Sequence, residues 1–144
     1  MVVFCSEETH YSVRMAANCL GLGFDNVVKI KVDEEGRMDS SDLAVKVQET
    51  IDAGKSPFCV VGTSGSTVRG AYDPLTDLSA ICKAHNMWFH VDAAWGGACL
   101  LSPTHKHLMA GAHLADSLCW DAHKMMGVPM ICSAFITTNL PLLK

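Results

Sequence analysis

The chain has 144 residues, 49% of them hydrophobic and 18% charged, with a formal net charge of −4. That balance describes a well-buried globular unit of about single-domain size and excludes a disordered chain. The eleven Lys and Arg are scattered without a basic stripe, so the electrostatic footprint of nucleic-acid binding is missing. No apolar run reaches the ~18 residues of a membrane span, and the first residues do not read as a basic-then-apolar leader; the cytoplasm is the expected location. Seven cysteines occur, an odd number without a C-x-x-C pair, and most sit in apolar runs. They read as small buried hydrophobes in a reducing compartment rather than as a disulfide framework or a zinc ribbon.

Strand and helix signals alternate along the chain. Val2–Cys5 reads as a strand, and Tyr11–Leu20 as an Ala-rich helix ended by Gly21. Val27–Val32 is a second strand. Leu43, Val47 and Ile51 recur at helical spacing and mark an amphipathic helix stopped by Gly54. Phe58–Val61 is a buried strand that runs into Gly62-Thr63-Ser64-Gly65-Ser66-Thr67. Asp73-Pro74 predicts an N-cap with proline in the first helical position, opening a helix whose Leu75, Leu78, Ile81 and Cys82 share a face and which ends at Asn86. Trp88–Val91, Ser117–Trp120 and Met130–Ile136 are further strands. Such alternation predicts an α/β layered fold with a largely parallel sheet, because parallel strands need helical crossovers. A strand starting at residue 2 and an apolar stretch at 140–144 predict that this is a piece of a larger polypeptide.

Two segments carry most of the chemical information. Asp92 ends the apolar run Trp88-Phe89-His90-Val91 and is followed by Ala93-Ala94-Trp95-Gly96-Gly97. An acid at the carboxyl end of a buried strand stands where open α/β sheets place their ligands, and the small residues after it leave room for a flat ring. The competing structural role is a helix N-cap. Lys124 follows the apolar run Ser117–Trp120 through Asp121-Ala122-His123. A lysine there is unusual, since burying an ammonium is costly unless its charge is lost or paired; the alternative is a solvated loop lysine. About one strand-to-strand crossover separates Asp92 from Lys124, so both can point into one crevice. An amine that holds an aldehyde and an acid that keeps a pyridine nitrogen protonated are what pyridoxal phosphate chemistry requires.

Other candidates are weaker. His10, in Ser6-Glu7-Glu8-Thr9-His10-Tyr11-Ser12, stands at a helix start, where an imidazole can stack on an aromatic cofactor or simply cap. Gly62–Thr67 looks like a phosphate cradle but lacks the Gly-Lys-Ser/Thr ending of a P-loop. His105, His107 and His113 raise the possibility of a metal, yet no second cluster completes four ligands and a solvated turn accounts for them; no metal site is expected.

The motifs SEETHYSV, GTSGSTVRGAYDP, WFHVDAAWGG and WDAHKMMGVPMICSA, in that order over nearly the whole chain, resemble the group II pyridoxal-phosphate amino-acid decarboxylases. The likeness is greatest to the branch acting on glutamate, cysteine sulfinate and aspartate. The resemblance implies a fold-type I, aspartate-aminotransferase-like large domain, of which residues 1–144 would be the central part, and a homodimeric parent enzyme. It implies that Lys124 is the Schiff-base lysine, that Asp92 pairs with the pyridinium nitrogen, that Ala94 packs on the ring and that His10 stacks over its opposite face. His123 would lie beside the cofactor, and Ser66 would keep a hydroxyl near the ring edge, where the family has a threonine. The implied reaction is decarboxylation of a small acidic L-amino acid to an amine and carbon dioxide.

One departure stands out. The family commonly has Asn-Pro before His-Lys; here Asp121-Ala122 occupy those positions, which removes an amide near the cofactor and adds a charge. Three other readings stay open: another reaction on the same cofactor, such as transamination or side-chain lysis; a catalytically silent segment with a structural or dimerising role; and a nucleotide-binding module using Gly62–Thr67. Arg69 is a candidate for a distal substrate carboxylate, with a surface role equally compatible.

Overall fold

The computed structural model describes residues 1–139 and 141. Among them the chain forms β1 (Val2–Ser6), α1 (Ser12–Cys19), β2 (Val27–Ile30), α2 (Ser40–Asp52), β3 (Pro57–Thr63), α3 (Leu75–Ala84), β4 (Trp88–Asp92), β5 (Ser117–Asp121) and β6 (Ser133–Thr137), with short 3-10 turns between β4 and β5. The six strands make one sheet in the order β2-β1-β3-β4-β5-β6. All neighbouring pairs are parallel except β5 with β6, as the alternation of elements required. Apart from Pro141, the apolar stretch at 140–144 lies outside the described residues.

Strand side chains alternate between two unequal layers. Phe4, Val60, Phe89, Val91 and Leu118 enter the main core with Leu43 and Val47 of α2 and Leu75, Leu78 and Cys82 of α3. The opposite layer is thinner: Val3, Cys5, Cys59 and Val61 pack on Ala17 of α1. The continuously buried strand β1 and the buried run 59–63 of β3 are what a parallel sheet covered on both faces demands, whereas β4 alternates buried and half-buried residues.

Several local expectations are corrected by this packing. Ile51 is 39% exposed, and Thr50 is buried in its place beside Leu43 and Val47. Phe58 is 43% exposed at the start of β3. Strand β2 stops at Ile30, because Val32 bridges Met38 in a small turn instead, and β6 begins only at Ser133. The largest correction concerns Asp73. Pro74 occupies the N-cap position without any side-chain cap, and α3 starts at Leu75. The Asp73 carboxylate instead accepts the backbone N–H of Met38 and of Thr63, each at 2.7 Å. It therefore fastens the segment before α2 to the end of β3.

Burial pushes the Asp73 carboxyl up to about 6, against the lowering effect of the two N–H donors. A group held above its unfolded value contributes stability below that value and loses it as pH rises through the folded one. The stability difference between wild type and Asp73→Asn should thus shift against the wild type between about pH 4 and pH 6, read by urea unfolding across that range. At any pH the substitution turns one N–H acceptor into a donor and should cost about 1–3 kcal/mol.

Candidate active site

Parallel strands deliver the segments that follow them to one edge of the sheet, and ligands of such folds lie there, where the strand order reverses. Here the reversal falls between β1 and β3. A cavity of about 230 Å³ opens at that edge, lined by Glu8, His10 and Ser12 after β1, Thr63, Gly65, Ser66 and Thr67 at the end of β3, Asp92, Ala94 and Trp95 at the end of β4, and Cys119, Asp121 and Lys124 from β5 and its turn. The backbone register explains the convergence: Thr63 pairs with Asp92, and Asp92 with Cys119.

Each wall has its own support. Thr9 links Ser6 and Thr63 through hydroxyl contacts of 3.3 and 3.1 Å, which ties the segment carrying His10 to the end of β3. His10 itself is exposed; its Nδ1 lies 2.8 Å from the Ser12 hydroxyl and its ring 4.2 Å from that of Tyr11. The turn after β3 folds back on itself: Gly65 and Ser66 donate N–H to the carbonyl of Ala71, and Ser64 donates to that of Asp92. With those amides and that of Thr63 occupied, the phosphate-cradle reading of Gly62–Thr67 loses residues 63–66 as backbone donors. The Ser66 hydroxyl accepts the N–H of Ala71 at 3.1 Å, leaving its own proton available. Gly65 has φ +81°, and a Cβ on it would stand 2.7 Å from the backbone nitrogen of Gly96; the wall after β3 and the wall after β4 touch only because that side chain is absent.

The floor holds the charges. Asp92 Oδ1 accepts the N–H of Ala94 at 3.1 Å and the thiol of Cys119 at 3.4 Å, and among the described residues none bonds Oδ2. Burial and the Asp92 charge push the Cys119 thiol up to about 12, so it is a neutral donor. Lys124 Nζ pairs with Asp121 Oδ2 at 3.0 Å and lies 5.9 Å from the centre of the Trp95 ring. Burial pushes the Asp121 carboxyl up, but bonds from Ser133 and Lys124 and the charge of Lys124 outweigh it and hold the group below the usual carboxylate range.

The structure brings together Lys124, Asp92, Ala94, His10, Ser66 and Asp121 around this cavity. It does not bring His123 to it. The His123 ring nitrogen Nδ1 is engaged by the backbone of Cys132, at 3.2 Å from its nitrogen and 2.9 Å from its oxygen, so the residue pins the turn to the strand beyond. Arg69 pairs with Glu8 at 3.5 Å on the rim and bonds the carbonyl of Glu34. His105 is engaged by Ser102 and Thr104, and His107 by the Thr104 carbonyl; among the described residues no trio of His, Cys, Asp or Glu is arranged to hold a metal. Sequence reasoning missed Glu8, Thr63, Trp95 and Cys119. Cys119 had a signal, since it lies two residues before Asp121 and shares its face of β5.

The family model "Pyridoxal-dependent decarboxylase conserved domain" matches residues 1–144. The chain belongs to the pyridoxal-dependent decarboxylase family. It is 47% identical over 143 residues to cysteine sulfinic acid decarboxylase of Mus musculus, covering 97% of this chain and 29% of that protein. It is 44% identical over 139 residues to acidic amino acid decarboxylase GADL1 of Bos taurus, covering 96% of this chain and 27% of that one. A crystal structure of the mouse protein in apo form superposes with a TM-score of 0.93, over 96% of this chain and 30% of that one. The chain thus spans less than a third of the length of these relatives.

Membership makes pyridoxal phosphate the cofactor to test against the cavity. The donor set fits: an amine, a carboxylate with one unengaged oxygen, a small residue on the floor at Ala94, and hydroxyls at Thr63, Ser66 and Thr67. Gly65→Ala should strain the left-handed backbone and push the two walls apart. A loss of about 1–3 kcal/mol in chemical unfolding is expected, together with weaker cofactor uptake in an equilibrium titration.

Proposed function

We propose that the full protein is a pyridoxal-phosphate-dependent carboxy-lyase that converts a small acidic L-amino acid, of the glutamate, cysteine sulfinate or aspartate type, to its amine. The 144 residues supply the central part of the large, cofactor-binding domain. The observation that carries the reading is the convergence of Asp92 and Lys124, from separate strands, on one cavity. The acidic substrate class rests on the resemblance to relatives named for cysteine sulfinic acid and for acidic amino acids.

When bound, the cofactor supplies an aldehyde for covalent capture of the substrate amine and a cationic ring that drains electrons from the bond to the departing carboxylate. The chain's residues do the rest. Lys124 would tether the aldehyde and hold a proton for the reacting carbon. Asp92, its Oδ1 fixed by Ala94 and Cys119, would offer Oδ2 to the ring nitrogen and favour its protonated form. Ala94 and His10 would hold the two faces of the ring. The Ser66 hydroxyl would be a donor for the cofactor. Trp95, 39% exposed beside Lys124, limits water at the reacting end.

The parent enzyme is further read as a cytoplasmic homodimer. All seven cysteines are free thiols, four of them buried, which fits a reducing compartment; the dimer rests on the resemblance alone and is tested by sedimentation of the full protein.

Carbon dioxide and an amine should appear in equal amounts when the holoenzyme is given an acidic amino acid; a keto acid in their place would identify transamination instead. Borohydride reduction should fix the cofactor on the peptide that contains Lys124, and Lys124→Ala should abolish that label. Asp92→Ala should lower turnover by about 10²- to 10³-fold, the range for loss of one electrostatic partner at a reacting group, while the unfolding midpoint stays close to wild type. Near-normal turnover with cofactor retained in Asp92→Ala would overturn the assignment.

A further inference from the structure

Asp121 stands where the resembled family commonly has an asparagine, followed by Ala122 in place of proline. An asparagine side chain can hydrogen-bond an amine but carries no charge to balance one. The carboxylate of Asp121 is held on both sides. Asp121 pairs in register with Ser133 of β6, whose side chain helps hold the carboxyl below its usual range. Its Oδ2 lies 3.0 Å from Lys124 Nζ, with the two side chains only 19% and 29% exposed. Partial burial reduces solvent screening of this pair relative to a surface ion pair. The backbone adds to the geometry, since Lys124 donates its N–H to the Asp121 carbonyl at 3.0 Å and so closes the turn that brings the two side chains together.

We propose that Asp121 is a positioning residue that serves as the fixed counterion of the Lys124 nitrogen and sets the pH range in which that nitrogen, once linked to an aldehyde, stays positively charged. This inference rests on the reading of Lys124 as the tethering amine. A carboxylate in contact favours the charged form of a neighbouring nitrogen and shifts its titration by about 1–3 pH units. The other charged and titratable groups around the pair leave that role to Asp121. Asp92 lies across the floor with Oδ1 engaged by Ala94 and Cys119, and the Cys119 thiol is neutral. Glu8 on the far wall is paired with Arg69. His10 contacts Ser12, and His123, whose ring is engaged by Cys132, adds a positive charge that acts on Asp121 in the same direction as Lys124.

The test is a pH titration of the visible absorption of the holoprotein, wild type against Asp121→Asn, with borohydride labelling and peptide mapping run on both. The expected result is a midpoint lower by about one pH unit or more in Asp121→Asn, a tenfold change in proton affinity, with the label still on Lys124. Asp121→Glu should restore part of the shift, which a purely structural role of the side chain would not produce. Should Asp121→Asn fail to fold, Ser133→Ala removes one anchor of the carboxylate and should lower the midpoint by a smaller amount. A midpoint unchanged in Asp121→Asn, with Lys124 labelled as in wild type, overturns the counterion role and leaves the tethering role standing. A label on another residue in the wild type overturns both.

Discussion

The parallel pairing of β1, β3, β4 and β5 is the constraint on which everything else in this molecule depends. Parallel strands cannot be joined by tight hairpins, so each must be followed by a crossover that leaves from the same edge of the sheet. In this chain the segments leaving that edge carry Glu8 and His10, Ser66 and Thr67, Asp92 and Ala94, and, in the turn that leads back to antiparallel β6, Asp121 and Lys124. Residues scattered over more than a hundred positions meet around about 230 Å³. The register Thr63–Asp92–Cys119 then fixes their relative heights. A slip of one residue would turn each of these side chains to the other layer.

The walls of the site are held by polar contacts that do no chemistry themselves. The buried carboxylate of Asp73 takes the amides of Thr63 and Met38, so the end of β3 is anchored to a segment on the far side of the core. The Ser6–Thr9–Thr63 hydroxyl contacts fasten the wall after β1 to the same point. Close approach of Gly65 to Gly96 joins the walls after β3 and β4. A constellation that must orient a flat ring needs supporting contacts of this kind, because small displacements of the reacting groups are costly.

Charge is distributed across the floor in two distinct pairings. At one end Asp92 is supported by neutral donors, an amide and a thiol, and pairs with no cation among the described residues. At the other end Asp121 is matched directly with Lys124. The two acids sit on the same sheet edge yet differ in partner, and the partner decides what each can do.

Much of this was legible in the linear order of residues. The apolar runs, their spacing and the stops at Gly21, Gly54 and Asn86 determined a layered α/β fold, since hydrophobic periodicity and turn residues act locally. The acid after one buried strand and the lysine after another marked the candidate site, and the motif order determined the family. What only the tertiary structure decided were contacts between segments distant in the chain. Asp73 looks like a helix cap because local rules favour it there, but two amides from other segments claim its carboxylate. His123, adjacent to the key lysine in the chain, turns to Cys132 of the neighbouring segment and away from the cavity. Cys119 acquires its role from a carboxylate on the adjacent strand. Local pattern specifies which element a residue joins, whereas the partner of a polar side chain depends on which distant segment the packed sheet brings within hydrogen-bonding reach.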